Sequence, residues 1–161
     1  MKNTKDVRIL SIAPSTRGFG YAVIEGNDKL VDWGVKSISG DKNNGSLTRI
    51  EKMMAFYEPK FMVLQDVKDS RRAPRIRELI EQIAVLARNR KVRVVLLSRK
   101  QIQQVFFHEG RGTKYALAEL LAEWFPEELG DHLPPKRKPW MSEDYRMDIF
   151  EAVALGVAVR L

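Results

Sequence analysis

The first 38 residues constrain the fold most. Three apolar stretches, residues 7–12, 18–24 and 30–38, follow one another with almost no chain between them. Residues 7–12 form a short continuous run, the pattern of a strand buried on both faces. Gly26-Asn27-Asp28 separates the second stretch from the third and is a hairpin signal. In the third, Val31, Trp33 and Val35 alternate onto one face. Strands joined by turns this short run antiparallel. The chain is therefore expected to open on an antiparallel meander.

The pattern then changes period. After a Gly/Asn/Lys loop at 40–45, Leu47, Ile50, Met53, Met54 and Tyr57 have helical spacing, and Pro59 closes the element. Residues 61–67 read as a fourth strand. Residues 72–90 give the clearest helix, with Ile76, Leu79, Ile80, Ile83, Leu86 and Ala87 in one stripe and Arg and Glu opposite. Residues 92–97 are a Val-rich fifth strand, and Ser98 is placed to cap a helix after it. Residues 101–107 and 114–125 are helical, residues 126–140 form a proline-rich loop, and Ser142 with nearby acids caps a last helix. A meander followed by alternating helices and strands predicts an α/β fold, a mixed five-stranded sheet flanked by helices. With 161 residues and no internal repeat, one domain spanning 1–161 is expected.

Composition narrows the chemistry. There is no cysteine, which removes disulfides, thiolate zinc sites and cysteine nucleophiles. Two histidines, His108 and His132, make a histidine-rich metal site a poor expectation. Any metal would be held by carboxylates, which favours hard cations such as Mg2+ or Mn2+. The formal net charge of +7 suits a polyanionic partner, because each cation set against a phosphate releases counterions. A polar start, Met-Lys-Asn-Thr-Lys-Asp, lacks the apolar core of a signal peptide, and no apolar run is long enough for a bilayer. A cytoplasmic protein is expected.

Five stretches, taken in order, carry a family resemblance: Ile12-Ala13-Pro14 with Gly18, Gly20 and Tyr21; Val63-Leu64-Gln65-Asp66-Val67; Ser98-Arg99-Lys100-Gln101-Ile102; Gly110-Arg111-Gly112-Thr113-Lys114; and Asp148-Ile149-Phe150-Glu151-Ala152. Together they resemble the RuvC-type Holliday-junction resolvases of the RNase H-like superfamily. YqgF-type relatives share the first stretch, while Gly110–Lys114 draws the chain toward the resolvases. The resemblance implies a two-metal endonuclease site with acids from the first strand, the fourth strand and the last helix, and with Lys114 near the phosphate. It also implies a homodimer.

Two of the implied acids are absent. The first-strand position is Ala13, and the closest register puts the fourth-strand acid on Gln65. Asp66 is adjacent, but one step along a strand reverses a side chain unless a bulge intervenes. Asp148 remains, and Glu151 keeps a carboxylate three residues on, on the same helix face. Two-metal hydrolysis needs several carboxylates around cations about 4 Å apart. The candidate metal ligands are thus Asp148, Glu151 and Asp66, and binding of Mg2+ or Mn2+ is expected to be weakened.

Two basic segments flank this proposed site. In residues 70–77, Arg71, Arg72 and Arg75 are candidates for bidentate phosphate contacts. In residues 135–140, Lys136, Arg137 and Lys138 precede Trp140, whose ring suits stacking on an unpaired base. Arg111 and Lys114 complete the candidate nucleic-acid contacts. The leading expectation is a RuvC-like protein that binds branched or distorted DNA with a depleted nuclease site. An active Mg2+ endonuclease using Asp66, Asp148, Glu151 and a replacement acid such as Asp144 or Glu25 is the alternative. A nucleotide-binding or scaffold protein on the same fold is the second.

Overall fold

A computed structural model describes residues 7–68 and 71–160. Residues 1–6 of the polar start and Ser70 of the first basic segment lie outside the described residues. The strands are β1 (Arg8–Pro14), β2 (Gly18–Glu25), β3 (Lys29–Ser37), β4 (Phe61–Gln65) and β5 (Arg93–Leu97). The helices are α1 (Lys42–Tyr57), α2 (Pro74–Asn89), α3 (Arg99–Phe106), α4 (Lys114–Trp124), α5 (Pro126–Leu129) and α6 (Met147–Arg160). The sheet order is β3-β2-β1-β4-β5, with β1–β2 and β2–β3 antiparallel and β1–β4 and β4–β5 parallel. The meander and the mixed sheet are as expected.

The sheet is covered on both faces, so β1 is buried almost throughout. Leu10 and Ile12 pack with Ile50 and Met53 of α1 and Leu79 and Ile83 of α2. Ile9 and Ala13 face the other way, toward Leu121 of α4 and Phe150 and Val153 of α6. Between them on that face, buried Ser11 donates its hydroxyl to the Ala152 carbonyl of α6 at 2.6 Å. A polar group taken from water needs such a partner, and here it also fixes how α6 crosses the sheet.

Several boundaries differ from the sequence expectation. Helix α1 starts at Lys42, ahead of its apolar stripe, because the Asp41 side chain accepts from Asn44 N and caps it. Val31 does not share a face with Trp33 and Val35: the β2–β3 register slips there, and Val31 packs on the α1/α2 side. Strand β4 ends at Gln65, before Asp66 and Val67. The proline-rich loop contains α5 and a 3-10 turn, Gly130–His132. The last helix begins at Met147, not at Ser142. Asp144 instead holds the entry by accepting from Arg146 N at 2.9 Å and taking both ends of the Arg146 guanidinium. That clamp, its hydrogen bond foremost, holds the Asp144 carboxyl down to about 2. No helix among the described residues is long and apolar enough to cross a membrane.

Candidate nucleic-acid interface

Strand alternation decides which side chains meet at the C-terminal edge of the sheet. In the parallel β1–β4 pairing Ser11 lies beside Val63. Two residues further along each strand, Ala13 and Gln65 emerge on the same face. Both line a cleft of about 610 Å³ where β1, β4 and β5 end and α3, α4 and α6 close in.

Cations dominate its rim. Arg71 and Arg72 enter from the segment before α2, Arg99 and Lys100 from the first turn of α3, and Lys114 from the first turn of α4. The carboxylates lining it are Asp66 and Glu151. Glu151 is ion-paired with Lys114 at 2.8 Å, and Glu143 approaches the same ammonium at 3.7 Å. Asp66 is exposed, and its carboxylate accepts from Lys68 N at 3.1 Å, turned toward its own loop. No bulge carries it across to Ala13: β4 pairs with β5 in regular register, and Asp66 N continues the ladder to Leu97 O.

Arg72 spans the two strand ends. Its guanidinium donates to the Pro14 carbonyl at 2.7 Å and to the Gln65 side-chain oxygen at 3.3 Å. Arg75, one turn on, donates to the Ser15 carbonyl at 3.0 Å and to Asn43 at 2.9 Å, which ties α2 to the β1–β2 turn and to α1.

Asp148 stands apart from the cleft wall. It lies in the first turn of α6, buried against β2, where a Cβ on Gly20 would overlap its own carbonyl oxygen. Gly20 pairs with Ala13, so this turn passes directly beside the end of β1. One Asp148 carboxylate oxygen and the Ser15 hydroxyl are both buried without a hydrogen bond of ordinary geometry. Burial pushes the Asp148 carboxyl up to about 6; the Ser15 hydroxyl partly offsets this, and the charge of Glu151 adds to it.

This donor set does not fit a pair of divalent cations. Ala13 offers a methyl group, the Gln65 oxygen is taken by Arg72, and Glu151 by Lys114. Among the described residues no three His, Cys, Asp or Glu side chains are grouped to hold a metal ion. Of the replacement acids, Asp144 is held by Arg146, and Glu25 pairs with Arg8 at the opposite end of β1.

The second basic segment lies on a flanking loop outside the cleft wall. Tyr115 of α4 donates to the Pro134 carbonyl at 2.8 Å, which anchors the start of that loop. Lys136, Arg137, Lys138 and Trp140 are exposed on it. Lys138 sits over the Trp140 ring at 5.5 Å, and Arg137 donates to the Met141 carbonyl. Arg111 is exposed and does not line the cleft, though its neighbours Gly112 and Thr113 do. Sequence reasoning missed Arg99 and Lys100 as cleft cations. The available signal was two basic residues directly after the Ser98 cap, which forms a capping box with Gln101 at the end of β5.

An antiparallel three-strand meander continued by two parallel strands, with helices on both faces, is the RNase H-like fold. Within it, the chain is similar to two structures from Thermus thermophilus. One is RuvC itself, at 16% identity, covering 94% of this chain and 92% of that one, with a TM-score of 0.67. The other is RuvC in complex with a Holliday junction substrate, at 17% identity and the same coverage, with a TM-score of 0.69. No protein-family model and no curated protein matches the sequence.

Proposed function

We propose that this chain binds branched or distorted DNA through phosphates and shape and does not cleave it. The observation that carries this is the strand-end pair Ala13 and Gln65, facing a cation-rich cleft with Arg72 laid across Gln65 and Pro14. A guanidinium there favours an anionic strand, while the missing carboxylates remove the means to hydrolyse it. The RuvC fold, seen elsewhere on a junction substrate, supports the same choice of partner.

One observation favours the rival, an Mg2+-dependent endonuclease: a carboxylate oxygen of Asp148 is buried without a hydrogen bond of ordinary geometry. A single experiment separates the two. Four-way-junction binding is followed by fluorescence anisotropy across a salt series, in EDTA and in Mg2+ at matched ionic strength, and the products are run on a gel. Affinity should fall steeply with salt, be equal in both buffers, and yield no cleavage. Reversing Arg71 and Lys100 to Glu should weaken binding more than reversing Arg88 and Lys52, which are exposed on other surfaces. Junction-specific cleavage abolished by Asp148→Asn would establish the endonuclease instead. Equal loss from both pairs would reduce the cleft to bulk charge.

A further inference from the structure

The floor of the cleft is apolar, a feature that phosphate binding alone does not require. Ile102 of α3, Phe107 just after it, Leu117 of α4, and Ala154 and Leu155 of α6 all line it. The wall is preformed. A Cβ at Gly112 would collide with the Phe107 ring, so the glycine lets the loop close onto that ring. Gln103 then donates to the Gly112 carbonyl at 3.2 Å and ties the loop back to α3. The cavity volume of about 610 Å³ lies within the roughly 300–1,000 Å³ of sites that enclose small organic ligands.

A ligand matched to this cleft has a flat or apolar body and at least one anionic group beside it. The five cations of the rim outnumber the two carboxylates, one of which is already paired with Lys114. Ala13 leaves room where a longer acid would project, and the Gln65 amide nitrogen carries donors that a base edge can accept. A base inside a duplex shows a protein only its edges, whereas an unpaired base presents a face that buries well on apolar side chains.

We propose that the cleft takes a single unpaired nucleotide of a distorted DNA strand, its base on the Ile102–Phe107–Leu117 floor and its phosphates on Arg71, Arg99 and Lys100. This rests on the DNA-binding reading above and specifies which part of a distorted strand is recognised.

The test compares a perfect duplex with the same duplex carrying one bulged 2-aminopurine, at fixed salt, with dAMP as a competitor. The bulged duplex should bind at least tenfold tighter, and the 2-aminopurine emission should change on binding. Ile102→Trp, which fills the floor, should bring the ratio of the two affinities to about one. The emission change in the unmodified protein decides the matter even if that variant does not fold. Equal affinity for both duplexes, with no emission change, overturns this inference and leaves DNA binding standing. Binding of neither duplex overturns this inference, and the four-way-junction titration described above, if it also shows no binding, overturns the DNA-binding reading with it. Displacement by dAMP at concentrations comparable to the bulged duplex also overturns it, in favour of a free-nucleotide site.

Discussion

Arg72 holds the ends of two parallel strands together, donating to the Pro14 carbonyl of β1 and to the Gln65 side chain of β4. A cation-binding carboxylate site would draw these strand ends around a metal; here a guanidinium links them with neutral acceptors. Charge-assisted hydrogen bonds of this kind contribute about 1.5–3 kcal/mol each when buried and less when half-exposed, and Arg72 is half-buried. Arg72→Met should therefore lower stability by about 1–2 kcal/mol in urea denaturation. An unchanged midpoint would remove the clamp.

The close approach of α6 to β2 depends on Gly20. A side chain there meets the Asp148 backbone, which cannot swing aside as a flexible tip would. Gly20→Val should cost about 3 kcal/mol or more by forcing the first turn of α6 off the sheet. Gly130→Ala is the control, with open space around its Cβ, and should stay within about 0.5 kcal/mol of the parent. Thermal unfolding of the pair checks both.

Asp148 gives a pH dependence with a defined sign. Its folded pKa of about 6 lies above the ordinary value of 3.8, with burial the main cause. A carboxyl raised in the folded state disfavours folding once it ionises, so this contribution to stability falls as pH rises from about 4 through about 6. Asp148→Asn, which stays neutral, should raise the melting temperature in EDTA at pH 7.5 and change it little at pH 4. A gain of the same size at both values would mean that ionisation is not the cause.

The proposed absence of a metal site at the strand ends can be tested by supplying carboxylates there. Ala13 is buried yet lines the cleft, so a carboxylate introduced there reaches open space. At position 65, however, a carboxylate would meet Arg72 and form an ion pair. The double variant Ala13→Asp, Gln65→Glu should stay folded but gain little thermal stability from Mn2+. Adding Arg72→Ala should release the second carboxylate and produce a metal-dependent rise, which for metal at 100 times Kd is about 2.7 kcal/mol. Unfolding of the double variant would make position 13 a closed core position. Absence of any Mn2+ effect in the triple variant would mean that these strand ends do not converge on Asp148 and Glu151.

Much of the fold was legible because it is written in local pattern. The apolar run through Leu10 and Ile12, the hairpin at Gly26–Asp28 and the helical stripe from Ile76 to Ala87 each report burial through spacing alone. Two of the boundaries that shifted did so where a polar side chain took a backbone group, Asp41 at α1 and Asp144 before α6. Such bonds depend on geometry that hydrophobic spacing does not encode.

By itself, the sequence determined that no carboxylate stands at positions 13 and 65, where the family resemblance led one to expect acids, and that Asp148 and Glu151 share a helix. It also supplied the cations, since composition fixes charge wherever the chain goes. Only the tertiary structure decided the partners. It set Arg72 on Gln65, paired Glu151 with Lys114 from another helix, and turned Asp66 toward its own loop. It placed Arg99, Lys100, Ile102 and Phe107 around one cavity. The reason is that a charge acts over a few ångströms in space, and residues 65, 72, 114 and 151 become neighbours only once the sheet and α6 have packed.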